Sequence, residues 1–254
     1  GYHLLKSVFC LIDLCDQIEM QVTKNGKISL IEHQQAWFYQ KDLSYRAAKL
    51  LQEHTHSHLG ANIKIKKVIP SGAGMGGGSS NAAAVLIVLN KLWNTGLNCA
   101  ELMQLGLQLG ADVPFFIQGR NALVTGIGEI ITPIEVPQLY FVIVKPNFHI
   151  TTKNIFSALE LNFGQINADS ITIEQLISEK TNDLEVIVKK IHPQINSIFS
   201  ELNQYGNAVM TGSGSCVYIS FTDKAQAKKV ANILSPSYNT FLAASLPIST
   251  VACE

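Results

Sequence analysis

The chain of 254 residues has no excess of either charge: 19 basic and 19 acidic residues cancel, and charged residues make up only 15% of it. A formal net charge of +0 leaves no electrostatic footprint for a nucleic-acid or membrane partner. Cysteine is sparse as well, at Cys10, Cys15, Cys99, Cys216 and Cys253. An odd number without a CxxC spacing argues against a disulfide framework and leads to the expectation of reduced thiols in a cytoplasmic protein. No apolar run is long enough to span a bilayer. An initiating Met is also missing at Gly1, where the sequence goes straight into a folded-looking segment. The expectation is that an N-terminal piece precedes it. What remains is 47% apolar, so the chain is globular, with material for one large or two modest domains.

Against this background one stretch is compositionally extreme. Pro70 to Asn81 reads PSGAGMGGGSSN and holds Gly72, Gly74, Gly76, Gly77 and Gly78. An alternating strand pattern, ANIKIKKV, precedes it, and a long apolar helix pattern follows. A Gly-rich turn that runs into a helix start is suited to phosphate. Gly admits positive φ and close approach of a ligand, and the first helical N–H groups and the helix dipole favour an anion. Two further absences narrow the type. No Lys follows Gly78, so the Walker A pattern fails. No Asp or Glu occurs from Ala82 to Ala100, so Gly72, Gly74 and Gly77 lack the acidic residue that a dinucleotide fingerprint needs for the ribose.

Elsewhere the patterns predict strands over 6–12, 17–22, 28–31, 122–125, 129–132, 140–144, 208–210, 217–221 and 239–244. Helices are predicted over 42–53, with Asp42 as N-cap, and over 79–93, where Ser79, Ser80 and Asn81 supply capping side chains. Further helices are predicted over 101–109, 151–161, 173–190, 194–204 and 224–234. In ANIKIKKV, Ile63, Ile65 and Val68 are expected inward. His54, His56 and His58 alternate in a way that admits a metal, but nothing accompanies them, and a solvated helix end is the better reading. The mixture of strands and helices lacks a strict βαβα rhythm, which favours an α+β fold. Pro133 and Pro137 suggest a seam between a nucleotide-binding domain, 1–134, and a second, substrate-side domain, 135–254.

The stretch Pro70, Gly74, Met75, Gly76, Ser79, Ser80 resembles the phosphate loop of the GHMP kinase superfamily. Taken with GYH at the start, LGADVPFF at 109–116 and TGSGSCV at 211–217, the sequence is similar to one family in it, the 4-diphosphocytidyl-2-C-methyl-D-erythritol kinases. The likeness covers nearly the whole chain. It implies a two-domain α+β fold with the active site in the cleft between domains. It also implies ATP-dependent phosphorylation of the 2-hydroxyl of the diphosphocytidyl substrate, with Mg²⁺ accompanying the nucleotide. The partner expected is this small molecule, for a monomer or homodimer.

The resemblance assigns Asp112 as the catalytic carboxylate; from the residues alone, a cap after Gly110 is as good a reading. Pro70, Gly72, Gly74, Met75, Gly76, Gly77 and Gly78 would cradle ATP phosphates, with Ser79 and Ser80 donating to phosphate or helping to position Mg²⁺. Tyr2 and His3 would serve the cytosine pocket. Thr152 and Phe156, in TTKNIF, would complete the substrate side, Phe156 by stacking on the cytosine; a core Phe on an amphipathic helix is its other reading. The Thr211–Ser215 turn would close over the phosphates. Two features depart from the family. Its Lys and Asn upstream of GYH are absent from this sequence, and Asp42 stands where the family often has Asn. The alternatives are a non-catalytic nucleotide-binding module and a GHMP kinase with another small-alcohol acceptor.

Overall fold

The computed structural model describes residues 5–31, 39–148, 150, 155 and 172–253. Three antiparallel or mixed sheets with helices form an α+β fold. The first sheet has the order β1-β6-β7, built from β1 (Leu5–Phe9), β6 (Ala122–Gly126) and β7 (Ile130–Pro133). In the second, β5 (Gly60–Lys66) lies between β3 (Gln17–Thr23) and β4 (Ile28–Ile31). Ile18 pairs with Ile65 and Met20 with Ile63, so the apolar residues of the alternating strands share one face. That face packs on α1 (Leu43–Thr55), α2 (Gly77–Leu92), α3 (Cys99–Leu109) and α4 (Val113–Gln118). Helix α2 buries most of its middle, Asn81 to Leu89, because Ala82–Leu89 is apolar all round.

The third sheet has the order β2-β11-β8-β10-β9 and joins both ends of the chain. Its strands are β2 (Leu11–Ile12), β8 (Tyr140–Lys145), β9 (Val209–Met210), β10 (Val217–Phe221) and β11 (Asn239–Leu246). It carries α6 (Leu184–Ile191), α7 (Ile195–Leu202) and α8 (Lys224–Leu234), with a core that includes Val142, Val188, Leu202 and Ile219, whereas α5 (Ile173–Glu179) buries no residue and lies against β1. The halves are laced together. Strand β2 pairs with β11, and the segment after β11 returns to the first half through Ser249 N–H to Gly119 O, 2.8 Å, and Cys253 N–H to Ile117 O, 3.1 Å.

Several expectations change. The predicted strand 6–12 is two strands in different sheets. The chain switches sheet at Cys10, and the Leu11 N–H beyond it is taken by the buried Asn121 Oδ1 at 2.8 Å. The predicted helix 173–190 breaks between α5 and α6. Lys180 takes a left-handed conformation, φ 44°, and Asn182 accepts from Leu184 N–H at 3.0 Å while donating to Met210 O and Gly212 O, at 2.7 and 2.8 Å. Val68 is 40% exposed rather than inward, because β5 ends at Lys66. The segment after Asp112, for which no element is predicted, is α4. Asp42 does cap α1, accepting from Ser44 N–H at 2.7 Å. His54, His56 and His58 are exposed at its C-terminal end. The predicted helix 151–161 lies, except for Ile155, outside the described residues.

Candidate active site

The alternating strand β5 delivers the chain into the Gly-rich loop, and the loop turns directly into α2. Gly76 is the N-cap of α2 at φ 65°. A side chain there would meet the Phe116 ring at 2.7 Å, so the loop backbone lies flat on α4. The helix begins at Gly77, earlier than predicted, and has no side-chain cap. Ser79 and Ser80 therefore do not cap it, which corrects the sequence expectation. The Gly residues reach the required backbone angles without a side chain's help, and the first-turn N–H groups point to the loop side. Asn81, also expected to cap, instead donates its Nδ2 to Asp16 Oδ2 at 2.9 Å.

Gly74, at φ 71°, is the crossing point of the two Gly-bearing turns. A Cβ there would stand 2.2 Å from Thr211 O. Thr211 Oγ1 donates to Gly74 O at 2.9 Å, and Cys216 N–H donates to Ala73 O at 3.2 Å. The turn is closed by Gly214 N–H to Thr211 O, 2.9 Å. Motifs separated by about 140 positions thus form one backbone surface.

Asp112 sits at the N-cap position of α4 with no side-chain capping bond, so the carboxylate is not consumed by the helix. Pro at the first turn and buried Val113, Phe115 and Ile117 hold α4 in place. The Asp112 side reaches solvent in a concave wall, and the protein around it withdraws bulk water, so burial raises its pKa above 3.8.

These parts line one cleft of roughly 2830 Å³. Typical single-ligand pockets measure about 300–1,000 Å³, so there is room for two substrates side by side. Pro70, Gly72, Gly74, Met75, Gly76, Gly77, Gly78, Ser79, Ser80 and Asp112 all line it, as do Thr211, Gly212 and Gly214. Lys180 lines it too, with its pKa lowered by burial. Tyr2, His3, Thr152 and Phe156 lie outside the described residues.

Sequence reasoning missed Asp16, which falls between the strands predicted over 6–12 and 17–22. Its Oδ1 accepts from Val68 N–H at 2.7 Å and Ile69 N–H at 2.8 Å, and its Oδ2 from Asn81 and the Lys67 ammonium. Burial by itself pushes this carboxyl up, but the hydrogen bonds from Lys67, Val68, Ile69 and Asn81 together hold it below 3.8. No local signal marks it, since every partner is more than 50 residues away.

Among the described residues no three His, Cys, Asp or Glu side chains gather as a metal site, and no helix is long and apolar enough to cross a membrane. The oxygen donors in the cleft, Ser79, Ser80 and Asp112, fit a hard cation that takes most of its ligands from a nucleotide's phosphates and water.

Residues 42–120 match the GHMP kinases N terminal domain, and residues 158–239 match the GHMP kinases C terminal domain. The 4-diphosphocytidyl-2-C-methyl-D-erythritol kinase of Chromobacterium violaceum is 43% identical over 254 residues, 98% of this chain and 88% of that protein. The enzyme of the same name from Neisseria gonorrhoeae is 42% identical over 246 residues, 97% and 87% of the two chains. A solved 4-(cytidine 5'-diphospho)-2C-methyl-D-erythritol kinase superposes with a TM-score of 0.82 at 28% identity, covering 96% of this chain and 91% of that one. Homoserine kinase from Cytophaga hutchinsonii, at TM-score 0.72 and 15% identity, shares the fold. With three spaced motifs lining one cleft and this identity along almost its whole length, the chain belongs to the GHMP kinases, in the family of the 4-diphosphocytidyl-2-C-methyl-D-erythritol kinases.

Proposed function

We propose that this kinase transfers the γ-phosphoryl group of ATP to the 2-hydroxyl of 4-diphosphocytidyl-2-C-methyl-D-erythritol, a step toward isoprenoid precursors. The observation that carries this reading is the meeting of the Gly72–Gly78 loop, Asp112 and the Thr211–Gly214 turn on one cleft with room for two substrates. The loop amides and the α2 start hold the ATP phosphates. Ser79 and Ser80 add hydroxyl donors. The acceptor hydroxyl lies against Asp112. Its oxygen forms the new bond to the γ-phosphorus as the bond from that phosphorus to the β,γ-bridging oxygen breaks. Asp112 takes the hydroxyl proton, and ADP carries away the bond's electron pair. Mg²⁺, when bound with the nucleotide, would supply charge neutralisation across the phosphates, and Ser79 and Ser80 would help to hold it. A raised pKa suits Asp112 to accepting a proton near neutral pH better than an ordinary carboxylate.

The cytosine side is assigned to Tyr2, His3, Thr152 and Phe156, and the domain bounds to 1–134 and 135–254. We assign the protein to the cytoplasm, as a monomer or homodimer without nucleic-acid partners. The test is coupled ADP release by the gene product over an acceptor panel. Turnover is expected with the cytidine diphosphate acceptor and not with mevalonate or homoserine. Preference for an acceptor without cytosine overturns the substrate assignment, and nucleotide binding without transfer to any of them overturns the kinase reading.

A further inference from the structure

Asp16 grips both ends of the Gly-rich loop with one carboxylate. Val68 and Ile69, its Oδ1 donors, are the last residues before Pro70. Asn81, an Oδ2 donor, stands one turn into α2, just past the loop's exit. Between these ends the backbone passes through positive φ at Gly72, Gly74 and Gly76, with no side-chain cap on the helix. A stretch so rich in Gly is entropically expensive to hold in one shape. A single group bonded to entry and exit fixes the distance the loop must span. The Asp16 side chain has no solvent exposure, and the Lys67 ammonium balances its charge. A buried carboxylate with all of its donors in place tolerates little displacement, because losing one donor exposes its desolvation cost. Asp16 also immediately precedes β3, whose Gln17 pairs with Lys66 of β5, so the grip is referred to the sheet rather than to another loop.

We propose that Asp16 is a positioning residue for phosphoryl transfer: by tying Ile69 to Asn81 it presets the loop amides for the nucleotide's phosphates. The proposal rests on the nucleotide reading of the loop. Asp16 acts through the backbone of 67–81 and not on the acceptor. Asp16→Asn keeps the size but replaces an acceptor by a donor opposite Lys67 and Asn81. Asn81→Ala removes only the helix-side tie and leaves the charge pair, which keeps the test available if Asp16→Asn folds poorly. In both, KM for ATP is expected to rise about tenfold while KM for the acceptor stays within about twofold. Amide hydrogen exchange of the ligand-free protein is expected to quicken across 67–81 and not in α3 or the five-stranded sheet. An unchanged KM for ATP with unchanged exchange overturns the proposal, as does an equal rise in both KM values with exchange quickened throughout. If the unmodified protein turns over no ATP, the kinase reading fails separately; the grip on the loop then stands on localised quickening of exchange and falls on its absence.

Discussion

At the residue scale the site sets function against stability. Asp112 is raised above 3.8 by burial, so its ionisation opposes folding. The sign follows: its favourable contribution is complete below 3.8 and is lost as pH rises through the higher folded value. Asp112→Asn is therefore expected to reduce kcat by about 10²–10⁴-fold, the usual worth of a positioned base, while Tm at neutral pH does not fall. Steady-state kinetics and calorimetry on the same samples check this, and retained turnover would remove Asp112 from the role. A carboxyl ¹³C titration of the ligand-free protein should place Asp112 above 3.8 and Asp16 below it. Gly74 is the other sensitive residue. Gly74→Ala combines a positive φ with a Cβ 2.2 Å from Thr211 O. A loss of at least about 1–3 kcal/mol is expected by urea denaturation, together with weaker ADP binding.

Among the elements, α4 decides where Asp112 stands. It exists because Val113, Phe115 and Ile117 bury against α3 and the first half's core, despite being only six residues long. Helix α3 admits it at Gly106, where a Cβ would stand 2.7 Å from Ile117 Cδ1 and 2.9 Å from Val113 Cγ1. Gly106→Ala is thus expected to push α4 outward, costing about 1–3 kcal/mol by overpacking and lowering kcat more than it changes KM for ATP. Denaturation and kinetics test it; an unaltered kcat would show that α4 tolerates the shift. Much of the element level was legible beforehand. The period-2 pattern of β5, the all-apolar run of α2 and the Asp42 cap are local properties of the chain. Helix α4 was not legible, because VPFFIQ is too short to show a period and its stability comes from contacts. The break at Lys180 was hidden for the same reason, since Asn182 is held by carbonyls 28 and 30 residues further on.

For the whole molecule, the two halves are not independent. Strand β2 of the first half pairs with β11, Asn121 links Leu11 N–H to Leu246 O, and the segment at 249–253 returns to α4. The turn at Thr211 is bonded to Gly74 across the cleft. Shared strands couple the stability of both cores, so a single calorimetric transition is expected, with calorimetric and van't Hoff enthalpies in agreement. Two resolved transitions would show that the lacing is too weak to join them. Saturating MgADP should raise the transition by mass action.

The α+β class and the kinase family were readable from the chain, because each depends on residues close together or on motifs matched as strings. The absences were as informative as the motifs: without a Lys after Gly78 or an acidic residue in 82–100, neither the Walker A nor the dinucleotide reading of the loop remained. Asp16 joining Val68, Ile69 and Asn81, Gly74 crossing Thr211, and a strand from each end of the chain sharing one sheet came only with the folded chain. Each joins residues that are far apart in sequence, and such pairings are set by packing and by the need of buried polar groups for partners, which no local pattern encodes.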